Sequence, residues 1–218
     1  PNLLICRSEQ ELPKDEKEKI ALFCSVHKNN VISMHDVETV YSIPILLNKQ
    51  KADQIILKKL NINSKNPNLL DWKGVVRAKL QPKGETNIAF VGKYTELKDS
   101  YKSINEALDH AGIKNKIKVN INFVEAETIT RRNVKTILKD CDGVLVPGGF
   151  GIRGVEGMIN ACKFARENQI PYLGICLGMQ VALIEFARNV LNLKNANSTE
   201  FNAKTKYPVI ALITEWND

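Results

Sequence analysis

Long apolar runs are missing from this 218-residue chain. No segment approaches the ~20 consecutive apolar residues of a membrane span, and no charged-then-apolar leader opens it. Cysteine is sparse. The five present (Cys6, Cys24, Cys141, Cys162 and Cys176) are odd in number, widely spaced and without a CxxC pair, which argues against a disulfide framework or a thiolate zinc site. The same usage points to a reducing, cytoplasmic compartment. Histidine is scarcer still, with only His27, His35 and His110. Blocks of one charge are also absent. The net charge is +7, but lysines alternate with acids, as in Lys14-Asp15-Glu16-Lys17-Glu18-Lys19, which describes a solvated helix face rather than a nucleic-acid stripe. No nucleic-acid polymer and no membrane partner is expected; small polyphosphates stay compatible with scattered lysines. What remains is 44% hydrophobic, enough for a real core in one large domain or two modest ones.

Two regions separate near residue 84. In the first, residues 3–6 and 31–34 read as short strands. A helix begins near Pro13, with Ile20, Phe23 and Cys24 along its apolar edge, and residues 42–60 read as two helical pieces, the first starting near Pro44. Residues 61–84 carry Asn, Pro, Lys and Gly with little periodicity beyond a patch at Trp72, and read as a linker. The second region alternates. Strands are expected at 87–91, 117–124, 143–146 and 171–175. Helices are expected at 100–111 (Ile104, Ala107, Leu108 and Ala111 on one face, Gly112 closing it), 130–139, 154–168 (Val155, Met158, Ile159 and Cys162 inward) and after residue 176, defined by Met179, Ala182, Leu183 and Phe186. Such units specify an α/β fold, a parallel sheet with helices on both faces.

The chemistry gathers in two turns. Gly174-Ile175-Cys176-Leu177-Gly178 follows a short apolar strand and leads into an amphipathic segment, the spacing of a sharp strand-to-helix turn that presents a nucleophile. Cys176 at a helix N-terminus, where unpaired N–H groups favour negative charge, is the candidate nucleophile; the alternative is a core cysteine packing as a small hydrophobe. The second turn, Pro147-Gly148-Gly149-Phe150-Gly151, has the glycines of a backbone anion nest, although alone it could be a plain turn. Beside a thiol it would supply an oxyanion hole from the N–H groups of Gly149 and Leu177. No base is evident: His27 and His35 lie in the first region. His110 is expected at the C-terminal end of a helix roughly 18 Å long, on the amino side of the sheet.

These motifs resemble the glutamine amidotransferases that use a Cys-His-Glu triad. The segments Ile5-Cys6-Arg7-Ser8, Lys19-Ile20-Ala21-Leu22-Phe23-Cys24, Val91-Gly92-Lys93-Tyr94 and Asp99-Ser100-Tyr101-Lys102-Ser103 narrow the resemblance to the CTP synthase family. So do Arg153-Gly154-Val155-Glu156-Gly157 and Ala196-Asn197-Ser198-Thr199-Glu200-Phe201. The resemblance implies a flavodoxin-like amidotransferase domain over 85–218, a linker over 61–84, and over 1–60 the C-terminal part of a P-loop-type α/β amidoligase domain. It implies ATP-dependent amination of UTP to CTP with ammonia from glutamine, GTP as activator, Mg²⁺ with the nucleotides, and a homotetramer. By position, Cys176 matches the nucleophile, Gly149 and Leu177 the oxyanion donors, and Phe150, Gln180 and Glu200 the glutamine-binding residues. Arg153, Gly154 and Glu156 match a lid linked to GTP, with Tyr94 and Lys102 in segments tied to the same effect. Arg7 and Asp36 match positions near the ATP adenine, and Lys19 a pyrimidine-nucleotide contact. No metal ligand is assigned in this chain.

Two family segments have no counterpart here: the phosphate-binding GxxxxGK loop and the His-Pro-Glu stretch that supplies the base. The expectation is therefore an internal piece of the family's chain, truncated before its His-Glu segment and incomplete for turnover by itself. Alternatives are a non-catalytic remnant that binds or modulates the full-length enzyme, and an unrelated thiol hydrolase that borrows its base.

Overall fold

The computed structural model describes residues 1–93 and 98–212. It divides into two compact units, one of Pro1–Lys83 with Ile113–Ile117, the other of Gly84–Gly112 with Lys118–Asp218.

In the first unit, strands β1 (Leu4–Ser8) and β2 (Val31–His35) pair in parallel, from Leu4 opposite Val31 to Ser8 opposite His35. Helix α1 (Lys14–Phe23) lies between them in sequence, and Pro13 is its N-cap. Phe23 does not join an apolar edge: it is exposed, and Ala21 is the buried residue of this helix. Helix α2 (Ile43–Lys49) starts with Pro44 in its first turn, where the missing N–H costs nothing. Its C-cap, Gln50, acts as a side-chain strand: the amide oxygen accepts from the Ser33 N–H at 2.9 Å and the amide nitrogen donates to the Ser33 carbonyl at 2.8 Å. Helix α3 (Ala52–Lys59) follows. Helix α4 (Leu70–Leu80) occupies part of the stretch that reads as structureless in sequence. Asn68 Oδ1 caps it by accepting from the Leu70 N–H at 3.0 Å, and the Trp72 indole donates to the Tyr41 carbonyl at 2.7 Å. With no fully buried residue, this helix has no strong apolar stripe to announce it.

The second unit is a four-stranded parallel sheet in the order β4-β3-β5-β6, formed by β3 (Glu85–Gly92), β4 (Lys118–Glu125), β5 (Gly143–Val146) and β6 (Tyr172–Gly174). Successive strand residues point to opposite faces, and both faces are covered. Val91, Val144 and Val146 pack with Met158 and Ile159 of α7 (Val155–Glu167) and with Val181 and Ile184 of α8 (Leu177–Asn189). Phe90 and Leu145 pack with Tyr101, Ile104 and Leu108 beneath α5 (Lys102–Asn115). The fold is the α/β doubly covered parallel sheet, flavodoxin-like in its order, which reverses direction between β3 and β5. Ligands of such sheets bind beyond the strand carboxyl ends at that reversal.

Several expectations change. Helix α5 does not close at Gly112 but runs through it to Asn115, with Lys116 in the left-handed conformation at φ 59°. Its inward face carries Ile104 and Leu108, next to Tyr101 just before the helix, while Ala107 and Ala111 are exposed, and His110 lies within the helix rather than at its end. Helix α6 is only Val134–Leu138. Asn133 replaces its first turn, accepting from the Thr130 N–H at 2.7 Å and donating to the Thr128 carbonyl at 2.8 Å. In α8, Met179, Leu183 and Phe186 are exposed and Val181, Ile184 and Glu185 are buried instead, because the turn at residue 176 sets which side of the helix meets the sheet. Strands β7 (Ala196–Ser198) and β8 (Tyr207–Ile210) form a further parallel pair that the sequence did not announce.

Candidate active site

The turn from β6 into α8 is built by close backbone approach. A Cβ on Gly178 would sit 2.1 Å from the Val146 carbonyl oxygen, and one on Gly174 would sit 2.4 Å from the backbone of Gly178. Neither position tolerates a side chain, which accounts for the Gly-x-Cys-x-Gly spacing. The Tyr172 hydroxyl ties the turn from below by donating to the Gly178 carbonyl at 2.8 Å. Between the two glycines, Cys176 is forced to φ 53°, ψ −104°, as the N-cap of α8. That backbone conformation is sparsely populated for an L-residue and typically costs of order 1–3 kcal/mol, held only where surrounding packing over-determines it. The thiol is exposed. Leu177, first residue of α8, has an N–H with no intrahelical acceptor, and its side chain is buried.

The glycine loop after β5 lies alongside. A Cβ on Gly148 would be 3.6 Å from Cys176 Cβ, and one on Gly149 would be 3.3 Å from Leu177 Cδ2. Phe150, next in the loop, is 83% exposed. Glu200, which follows β7, reaches the same loop: its carboxylate accepts from the Gly151 N–H at 2.8 Å, and Ser198 Oγ accepts from the Glu200 N–H at 3.2 Å. Gln180 stands one turn along α8 from Cys176, its N–H donating to the Cys176 carbonyl at 3.1 Å, and its side-chain oxygen is buried without a hydrogen-bond partner among the described residues. The structure thus brings Cys176, Leu177, Gln180, Gly149, Phe150 and Glu200 to the carboxyl ends of β5 and β6.

Arg153 also joins this site, donating to the Lys93 carbonyl at 2.7 Å and pairing with Glu127 at 2.8 Å. Gly154 is the N-cap of α7 at φ 70°. Glu156 is directed elsewhere and pairs with Arg188 at 2.8 Å. Lys102 is exposed at the start of α5, and Tyr94 lies outside the described residues. In the first unit, Arg7 and Asp36 meet at 3.6 Å with side chains 85% and 59% exposed, and Lys19 is exposed on α1. A cavity of about 450 Å³ in that unit is lined by Lys17, Lys28, Lys51, Lys58 and Gln50, among others, and not by Arg7, Lys19 or Asp36. Among the described residues no group of three His, Cys, Asp or Glu side chains could hold a metal ion. No described helix is long and apolar enough to cross a membrane.

Lys93 was not assigned a role from sequence, although it sits in a quoted motif. It is 3% exposed, immediately after β3, and its ammonium donates to the carbonyls of Phe150, at 2.8 Å, and Gly151. Burial pulls its pKa below the ordinary lysine value and Arg153 adds to that, while the carboxylates of Glu200 and Glu127 oppose it. Only the strand order, which the structure supplies, places it where the sheet reverses direction.

A strained cysteine at a strand-to-helix turn, facing a glycine loop at the carboxyl ends of a parallel sheet, is an arrangement that can present a thiol nucleophile. The sequence model of class I glutamine amidotransferases matches residues 96–209, and the chain belongs to that family. Its particular likeness is to CTP synthase: the model of the CTP synthase N-terminus matches residues 1–62. A solved structure, the glutaminase domain of Trypanosoma brucei CTPS with bound acivicin, is 40% identical with a TM-score of 0.58, over 61% of this chain and 52% of that one. The present chain thus spans about half the length of that neighbour.

Proposed function

We propose that the second unit carries a glutaminase site in which Cys176 attacks the carboxamide of glutamine. The thiolate sulfur bonds to the amide carbon, and negative charge passes to the amide oxygen. The N–H groups of Gly149 and Leu177 receive that charge. As the intermediate collapses, the amide nitrogen takes up a proton from water, the C–N bond breaks and ammonia leaves; water then cleaves the glutamyl thioester to glutamate and restores the Cys176 thiol. Phe150, Gln180 and Glu200 hold the substrate: the orphaned Gln180 oxygen can accept from a glutamine N–H, and the Glu200 carboxylate from the α-ammonium. The observation that carries this reading is the strained backbone of Cys176 beside the glycine loop. Placing an oxyanion donor is worth about 3 kcal/mol in comparable sites.

In the whole protein, the ammonia aminates UTP to CTP with ATP, in the family's last step of CTP synthesis. Arg7, Asp36 and Lys19 serve the nucleotides. Arg153, Gly154, Glu156, Tyr94 and Lys102 link GTP to the glutaminase site, Mg²⁺ accompanies the nucleotides, and the assembly is a cytoplasmic homo-oligomer. The domain division proposed is amidoligase over 1–60, linker over 61–84 and amidotransferase over 85–218.

Acivicin tests the site in the chain itself. The Cys176 sulfur adds to the chlorine-bearing ring carbon, charge builds on the adjacent ring nitrogen, and chloride leaves. Mass spectrometry is expected to find one adduct, on Cys176, with saturable kinetics and protection by L-glutamine but not D-glutamine. Non-saturable labelling spread over Cys176 and the half-buried Cys6, Cys24 and Cys141 would overturn the reading.

A further inference from the structure

The glycine loop that faces Cys176 has little side-chain packing of its own, so something else must hold its peptide groups in place. Three neighbouring elements do. Immediately after β3, the Lys93 ammonium donates to the Phe150 and Gly151 carbonyls, and its stem passes about 3.7 Å from where a Cβ on Gly149 would lie. From β7, Glu200 accepts from the Gly151 N–H. From the turn after β4, Glu127 holds Arg153, which in turn grips the Lys93 carbonyl.

We infer that Lys93 is a positioning residue for the glutaminase step: by pinning the carbonyls of Phe150 and Gly151 from inside the sheet, it fixes the Gly149 N–H at the place where charge develops. This rests on the roles proposed above for Cys176 and Gly149. A lysine suits the task because an ammonium offers three donors on a long stem and no acceptor, so two carbonyls can share it. Burying that charge is costly unless it is hydrogen-bonded, so the loop and the lysine hold each other in a single arrangement. Lys93 does not touch the reacting atoms.

The test compares two reagents on Cys176 of the 218-residue chain. Acivicin needs the loop donor when charge builds on its ring nitrogen, whereas iodoacetamide needs only an accessible sulfur. Lys93→Met keeps most of the stem and removes the ammonium. Its saturating acivicin rate is expected to fall about 10- to 100-fold, less than or comparable to outright loss of a donor, with half-saturation and iodoacetamide labelling changed by less than about 3-fold. An unchanged saturating rate overturns the inference. So does a parallel loss with both reagents, which would make Lys93 merely structural. If the Met variant has no cooperative melting transition, Lys93→Gln is read the same way, with a drop of about 5-fold expected and an unchanged rate overturning it. Saturable labelling of the wild type with an indifferent Lys93→Met defeats the Lys93 role alone; absence of saturable labelling in the wild type defeats the glutaminase reading and this inference together.

Discussion

In the second unit, backbone places the candidate residues. Two glycines fit where no Cβ can go, a strained cysteine is held between them, and a buried lysine fastens the facing loop. In the first unit, side chains alone present them: Arg7 and Asp36 meet across solvent, and Lys19 stands on an open helix face. Both sets follow from the same family resemblance. The difference is that a tight turn has one solution for its backbone, whereas a long charged side chain in water has many, and an exposed ion pair is worth only about 0–1 kcal/mol. The proposed glutaminase site is therefore built into the fold, while the residues proposed for nucleotides depend on what else surrounds them.

The sharpest way to break this contrast is Gly178→Ala. The added carbon would lie 2.1 Å from the Val146 carbonyl oxygen, so backbone must move, and a loss above about 3 kcal/mol is expected from chemical denaturation of the second unit. A loss below 1 kcal/mol would mean that the turn is not tight. A second probe is pH. Burial pushes the Cys162 thiol up to about 12 from 9.0, so between these values the unfolded chain ionises a thiol that the folded chain keeps protonated. Stability should fall with rising pH in that window, by up to about 1.4 kcal/mol per unit from this group, and Cys162→Ala should show a shallower alkaline slope. Smaller again is Cys176→Gly, which relieves the φ of 53° and is expected to stabilise the unit by about 1 kcal/mol while abolishing acivicin labelling. Destabilisation there would remove the argument from strain. The smallest effect should come from the first unit: Arg7→Ala is expected to shift stability by less than about 0.5 kcal/mol, and a larger loss would show that Arg7 is more tightly built in than its exposure allows.

Legibility followed local constraint. The inward face of α7 was readable because Val155, Met158, Ile159 and Cys162 repeat at helical spacing and are buried. The four parallel strands were readable as apolar runs between helices. In α8, by contrast, the segment is apolar nearly all round, so periodicity could not choose between the Met179–Leu183–Phe186 side and the Val181–Ile184 side. The end of α5 was misjudged because Gly112, a common helix stop, packs inside the helix and Lys116 takes the left-handed turn instead. Helix α4 was missed for want of an apolar stripe. Within the site, the Gly-x-Cys-x-Gly turn and the Pro-Gly-Gly-Phe-Gly loop were visible as motifs, but Lys93 was not, since a single lysine in a lysine-rich chain carries no local sign of burial.

By itself the sequence determined the alternation of strands and helices, the turn that must be glycine on both sides of a cysteine, and the family to which that turn belongs. Those are properties of residues close together in the chain, fixed by sterics and periodicity. Only the tertiary structure decided that β3 and β5 become neighbours, that a lysine from one holds the loop of the other, and that Glu200, some 50 residues on, grips the same loop. Such contacts depend on strand order and burial, which arise when distant segments pack together and have no signature in any one of them.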